Sequence, residues 1–330
     1  MNWRTHLPSL VGPAVLLCML ALAEARYPGF HSIGVFSGLW TSRAPLVLVS
    51  IGMTWVVIAG GIDLAVGAVA TLAAFVTVWA AQFGAPPAIA LLCGPLVGVA
   101  VGAAQGLAVQ RLRLPAFIVT LAGMFLARGA SLLLSPEPRT LPSGYVGTMP
   151  SMAWGWGGAE VTLTSLCVLA VAALAIVWDS RSVGGRWVRA VGDNPGACLG
   201  RVPMAGVRVV TFAASGLLAG VAGVAALMYV PTASHDQGQG LELEAIAAVV
   251  IGGTLITGGR GSVLGTLVGV HVVGLALVLP AYEPGLSPGA VRMLVAGVLL
   301  AFVGAQAGLR RFASGRGARV ASAWVGKGPA

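Results

Sequence analysis

Gly60-Gly61-Ile62-Asp63-Leu64-Ala65-Val66-Gly67 sets a carboxylate between two uncharged apolar runs, 44–59 before it and 68–81 after it. An ionised Asp at a bilayer centre costs roughly 2.5–3.5 kcal/mol on insertion scales, so such a residue belongs against protein or a water-filled path. The glycines on either side let the backbone turn or break, and non-helical backbone at membrane depth is tolerated only where protein or a cavity receives its polar groups. Two compatible readings follow. Asp63 is a polar group in a transport path, or it N-caps a helix beginning at Leu64.

Outward from this stretch, the 330 residues are 57% hydrophobic and only 9% charged, with a mean hydropathy of +0.92. These values lie far from those of soluble domains. The fold class expected is all-α, a polytopic membrane protein. Segments long enough for a ~30 Å hydrocarbon core run over 10–25, 44–60, 64–82, 87–109, 114–134, 161–178, 209–230, 243–256, 263–279 and 290–307. That is about ten transmembrane helices. The eighth is short and Gly-interrupted, which leaves eight to nine spans plus a re-entrant segment as the alternative.

The formal charge of +9 reports topology and not a nucleic-acid partner. With ten spans and the N terminus inside, 14 of the 19 basic residues fall on one side. They include Arg4, Arg111, Arg113, Arg186, Arg189, Arg208, Arg260 and those of the tail. Arg26, Arg43, Arg139 and Arg292 fall on the other, and Arg128 lies inside a span. The positive-inside rule then places both termini in the cytoplasm. The N-terminal apolar run ending in Ala23-Glu24-Ala25 imitates a signal peptide, but its loss would put the basic loops on the wrong side, so it is expected to be an uncleaved first span. The organisation expected is a transmembrane domain over 1–309 and a basic, disordered cytoplasmic tail over 310–330. Two loops exceed turn length: an external one over 135–160, rich in Pro and Trp, and a basic cytoplasmic one over 179–206 suited to a soluble partner. A weak echo links Gly60-Gly61 and Gly67 with Gly258-Gly259 and Gly265, as duplicated halves with interrupted helices would produce.

Four motifs occur in one order: Gly60 to Gly67, Pro115 to Leu121 running on to Arg128-Gly129, Ala190-Val191-Gly192-Asp193-Asn194, and Gly240 to Thr254 followed by Gly258 to Ser262. Together they resemble the permease subunits of bacterial sugar ABC importers of the ribose, xylose and galactose type, within the branched-chain amino acid permease superfamily. The similarity spans nearly the whole chain. A narrower likeness, over 114–129, 253–259 and 282–288, is to one of the two permeases of the galactofuranose importer. The resemblance implies a multi-pass subunit of the bacterial inner membrane. It would work beside a second permease, as a heterodimer or homodimer, receive a monosaccharide from a periplasmic binding protein, and be driven by a cytoplasmic ABC ATPase. Three positions depart from the family pattern: Ala65 where Ser is common, Gln105 where Asn is usual, and Glu244 where Asp is usual. The run after Asn194 is also one residue short.

Consistent with a separate energy source, no Gly-x-x-x-x-Gly-Lys-Ser/Thr loop occurs, so no cofactor is expected on this chain. ATP and Mg would be used by the partner ATPase. The scattered histidines offer no catalytic set or metal cluster, and the chain reads as a transport subunit, not an enzyme. The polar groups expected in the path or gate are Asp63, Gln105, Thr120, Glu242 and Glu244, with Gly60, Gly61, Gly252 and Gly253 as break points. Arg128 is expected as a structural intramembrane counter-ion. Arg186, Arg189, Gly192, Asn194 and Pro195 are expected to contact the ATPase, through a short helix starting near Asn194 or Pro195. The rival classes are an ion-coupled secondary transporter and an ABC permease for branched-chain amino acids or nucleosides.

Overall fold

The computed structural model describes residues 3–30, 32–146, 153–156, 159–194, 196, 202–279 and scattered positions between 287 and 304. The expected tenth span over 290–307 and the tail fall largely outside them. Twelve helices are described: α1 (Trp3–Arg26), α2 (Ile33–Ser42), α3 (Ala44–Ile58), α4 (Val66–Gln82), α5 (Pro87–Arg111), α6 (Ala116–Leu134), α7 (Ser143–Val146), α8 (Leu163–Arg181), α9 (Val183–Asp193), α10 (Met204–Tyr229), α11 (Leu241–Ile251) and α12 (Val263–Val278). Four short strands accompany them, β1 (Arg139–Thr140), β2 (Ala153–Trp156), β3 (Ala159–Thr162) and β4 (Thr232–Ala233). The strands are short additions to a fold that is otherwise helical, as expected. They form two antiparallel two-stranded ladders, β1 with β4 and β2 with β3, which tie the segment over 135–162 to itself and to the end of α10.

The chain is an integral multi-pass membrane protein, and its helices fall into two length classes. α5, α6, α8 and α10 are long and apolar enough to cross a bilayer alone. α2 and α3 pass the same test as a pair bent by 59°; the sequence reading missed α2, because Arg43 and the bend separate its ten residues from the longer run. Among the shorter apolar helices, α11 is cut off by glycine. α11 ends at Ile251, not near residue 256. With 11 residues it reaches only about 16 Å at 1.5 Å per residue, roughly half the core thickness.

α3 and α11 end in the same way. After α3, Gly60 takes φ +85°, with its N–H on the Val57 carbonyl and the Gly61 N–H on the Val56 carbonyl. After α11, Gly253 takes φ +89°, with its N–H on Val250 and the Thr254 N–H on Val249. This left-handed cap closes the last carbonyls and requires residues without Cβ. The repeat therefore aligns Val56-Val57-Ile58-Ala59-Gly60 with Val249-Val250-Ile251-Gly252-Gly253, and the echo expected at Gly258-Gly259 is displaced from the helix end by five residues.

The core centres on α3, buried along nearly its whole length. α5 and α10 form the closest helix pair. A Cβ on Gly98 would strike the Gly216 carbonyl of α10, and one on Gly216 would strike the Gly98 carbonyl. Between helices in lipid, where apolar burial gives no net drive, such backbone approach supplies the attraction. Gly98→Leu should therefore sharply lower the amount of monodisperse protein recovered in detergent by size-exclusion chromatography, since overpacking costs about 1–3 kcal/mol. Leu96→Ala, at an exposed position of α5, should leave recovery near wild type.

Candidate functional site

Two irregular segments enter the bundle from opposite ends. Residues 59–65 leave α3 beside α9, where Ile58, Val188, Val191 and Val207 pack together, and climb to the start of α4. Residues 234–240 leave β4 at the other end and descend between α4 and α6 to the start of α11. His235 lies against Phe75, with ring centroids 4.5 Å apart; farther down, Gly238 meets Gly67 and Thr71. The first turns of α4 and α11 thus meet head to head inside the protein. Gly67 and Gly238 touch backbone to backbone, and a Cβ on either would strike the other's carbonyl.

Each break carries its own polar partners. The Ala65 N–H donates to Asp63 Oδ1 at 3.0 Å, and Ser215 Oγ of α10 donates to Asp63 Oδ2 at 2.8 Å. Both residues are buried. Helix α4 starts at Val66, with Ala65 as its uncapped flanking residue, so Asp63 closes the turn before the helix and does not cap a helix at Leu64. Thr120 Oγ1, at 3.1 Å from the Ile62 carbonyl, covers the neighbouring orphan acceptor. Gly61 packs beneath Phe212 and Ala116.

At the second break, Glu242 occupies the first turn of α11 and faces Gly67 in the first turn of α4. Two helix N-termini, each with partial positive charge, converge on this carboxylate. Arg128 Nη2 of α6 donates to Glu242 Oε1 at 3.2 Å; the side chains are 34% and 10% exposed. Glu242 Oε2 has no hydrogen-bond partner among the described residues. Glu244 is half-buried, within electrostatic reach of both Arg43 and Glu242, so the two glutamates sit near each other but take different cationic neighbours, Arg128 for Glu242 and Arg43 for Glu244. Gln105 is buried against the bare backbone of Gly123, one helical turn from Thr120, and the Gln105 Nε2 has no hydrogen-bond partner among the described residues. Gly252 packs on the Gly265 backbone. His271 is accounted for by packing: its Nδ1 lies 2.7 Å from the Leu267 carbonyl and its ring stacks on Trp40.

The expected ATPase-contact residues divide. A helix does form in the cytoplasm-assigned loop, but it runs Val183–Asp193 and ends where the sequence reading has it begin, with Asn194 as its C-cap. The cause is Ser182, whose Oγ accepts the Gly185 N–H at 2.9 Å and starts the helix early. Pro195 lies outside the described residues. Arg186 is exposed, whereas Arg189 turns inward and donates to Asp179 Oδ2 at 2.7 Å. The same oxygen accepts the Val263 N–H at 3.3 Å. Asp179 thereby joins α8, α9 and the start of α12. Gly192 packs against the Ile58 carbonyl and the Gly259 N–H, which are themselves hydrogen-bonded at 2.8 Å. Helix α9 is thus in contact with the end of α3, immediately before the Asp63 break.

Asp179 and Ser215 went unnoticed in the sequence. Asp179 is one of only ten acidic residues and ends a span; that scarcity was a usable signal. Ser215, in a helix of small residues, carried none.

An integral permease with two head-to-head helix breaks is the class that fold and site define. The chain belongs to the family described as branched-chain amino acid transport system / permease component, whose model matches residues 35–304. It is 36% identical over 309 residues to the inner membrane ABC transporter permease protein YjfF of Escherichia coli strain K12, covering 93% of each chain. It is 29% identical to the ribose import permease protein RbsC of the same strain, covering 82% of this chain and 84% of the relative. It is also 32% identical to the fructose import permease protein FrcC of Rhizobium meliloti, covering 80% and 76%. No solved structure matches the chain.

The second break generates a prediction. Arg128→Leu leaves the Glu242 carboxylate at membrane depth without its counter-charge, and should destabilise the purified protein by about 1.5–3 kcal/mol, the range for a hydrogen bond to a charged group. Adding Glu242→Gln should recover much of the loss, because the uncompensated charge is then gone. Thermal unfolding in detergent measures both. Equal melting temperatures for wild type and Arg128→Leu would contradict the pairing.

Proposed function

We propose that this chain is the membrane-spanning subunit of an ATP-binding-cassette importer for a monosaccharide, with galactofuranose or another pentose or hexose as cargo. The observation that carries the reading is similarity over about four-fifths of the chain to permeases named for ribose and fructose import, in a chain whose charged groups at the two breaks, among the described residues, are few and each held by a named partner. Neutral sugars need such a lining, because their hydroxyls are matched by sparse hydrogen-bonding groups and not by charge.

In this reading the α9 end faces the cytoplasm, and the segment over 135–160 faces the periplasm, where a binding protein delivers the sugar. A separate ATPase supplies ATP and Mg chemistry and docks on the exposed face of α9, where Arg186 and Trp187 are exposed, next to exposed Arg181 at the end of α8. A second permease subunit completes the pair. Motion at α9 would reach the Asp63 break through the Gly192 contact with Ile58. At the head-to-head junction, small shifts of α4 against α11 would open or close the path.

The test is uptake by proteoliposomes holding this chain, its second permease and its ATPase, supplied with the binding protein. D-galactose, D-ribose and leucine serve as labelled probes. ATP-dependent uptake of a sugar, lost when the ATPase is omitted, is expected. Uptake of leucine alone would move the chain to amino acid transport, and uptake driven by an ion gradient without ATPase would make it a secondary transporter.

A further inference from the structure

Above the descending segment over 234–240 lies a cavity of about 330 Å³, bounded by Phe75, Trp79, Phe83, Gln82, Ser135 and Arg139, with Leu134 at its edge. Its size is at the small end of pockets that enclose small molecules. Phe75 and Trp79 lie four residues apart on one face of α4, and Phe83, the residue that closes the helix, follows at the same spacing. The lowest ring, Phe75, is 2% exposed and is held from behind by His235, at an interplanar angle of 18°. His235 is itself fixed: Nε2 lies 2.9 Å from the Ser135 carbonyl and Nδ1 lies 3.3 Å from Ser131 Oγ. The upper two rings pack on each other at 4.5 Å and remain open, Trp79 48% and Phe83 74% exposed.

Polar groups converge on the same space. Arg139 Nε donates to Ser135 Oγ at 2.9 Å, and that hydroxyl donates in turn to the Glu137 carbonyl at 2.7 Å. The guanidinium is thereby oriented at the cavity edge, and its two terminal nitrogens make no hydrogen bond among the described residues. Gln82 Nε2, at the end of α4, donates to the Thr140 carbonyl at 3.2 Å, which holds the amide near the chain that carries Arg139. Tryptophans of an interfacial belt stand against lipid headgroups; here Trp79 and Phe83 also line a cavity shared with the Arg139 guanidinium and the Gln82 amide. A ring face accepts the C–H face of a pyranose or furanose, while guanidinium and amide pair with its hydroxyls.

We propose that this cavity is a receiving subsite for a neutral monosaccharide, occupied before the sugar reaches the head-to-head junction of α4 and α11. The inference rests on the reading of the chain as a sugar permease, and adds to it a place and a set of contact residues. Trp79 supplies the stacking face, Arg139 and Gln82 the hydroxyl contacts, and Phe75 with His235 the rigid floor. The segment below His235 leads from this floor to Gly238 and Gly67.

Saturation-transfer NMR on the assembled transporter in phosphatidylcholine nanodiscs, without binding protein, tests the proposal with D-galactose and D-ribose as probes. Transfer to sugar C–H protons is expected in the wild type. At equal recovery of intact complex, Trp79→Ala and Arg139→Gln should each reduce it by about five-fold or more, and Trp79→Phe, which keeps a ring, should restore most of it. Uptake of the same sugar should fall in parallel. If the wild type imports a sugar but Trp79→Ala and Arg139→Gln match it in both transfer and uptake, the subsite is wrong and the permease reading stands. Transfer to lipid glycerol protons in place of sugar would make the cavity a lipid site and overturn the proposal. If no sugar is imported at all, the functional reading fails first and takes the subsite with it.

Discussion

The Ser215 hydroxyl donating to the Asp63 carboxylate is the interaction on which the rest of this bundle depends. A chain that leaves the helical state within a membrane exposes backbone groups that lipid cannot satisfy, and each costs several kcal/mol if left alone. Residues 59–65 are such a segment. Asp63 answers the problem from both sides, taking the Ala65 amide of its own turn and fastening that turn to α10. Thr120 covers the Ile62 carbonyl. With these contacts α4 can begin inside the protein. Without that start, Gly67 would not meet Gly238.

Two breaks entering from opposite ends produce a junction that a continuous helix cannot. Converging N-termini would repel each other if left bare, and the Glu242 carboxylate, with Arg128 balancing it, removes that repulsion. Close packing at Gly67 and Gly238 leaves no side chain between the two turns, so the junction is held by backbone contact and by charges at its edge. One path joins this region to the basic end of the molecule: Gly192 of α9 rests on the last carbonyl of α3, and Asp179 locks α9 to α8 and α12. The Asp63 break and helix α9 are therefore in contact through glycine-lined surfaces, and one ion pair ties α9 to its neighbours.

The long helices α5, α6, α8 and α10 were legible in the sequence because twenty apolar residues in a row have one meaning in a chain this greasy. Asp63 was legible for the complementary reason, a charge where none is cheap. Its partner was not, since Ser215 is 152 residues away and resembles every other small residue of α10. Arg128 stood out as an intramembrane charge needing a counter-ion, and Glu242 was among the candidates, but only the fold could choose it over Glu244, two residues on and facing Arg43. Charge alone could not reveal that Arg189 has a partner within its own chain: a basic residue in a basic loop looks free, yet this one is bound to Asp179. The β1–β4 ladder joins residues 92 positions apart over two residues each, too short for any periodicity to register.

A double-mutant cycle over Asp63 and Ser215 tests the central claim most directly. Asp63→Leu, Ser215→Ala and the double variant would be purified in detergent and compared with wild type by equilibrium unfolding. If the carboxylate and hydroxyl anchor the break to α10, the two changes are non-additive by about 1 kcal/mol or more, as for a buried hydrogen bond involving a charged group. Additive effects would contradict the account, because they would mean that the start of α4 is held in place by something other than this contact.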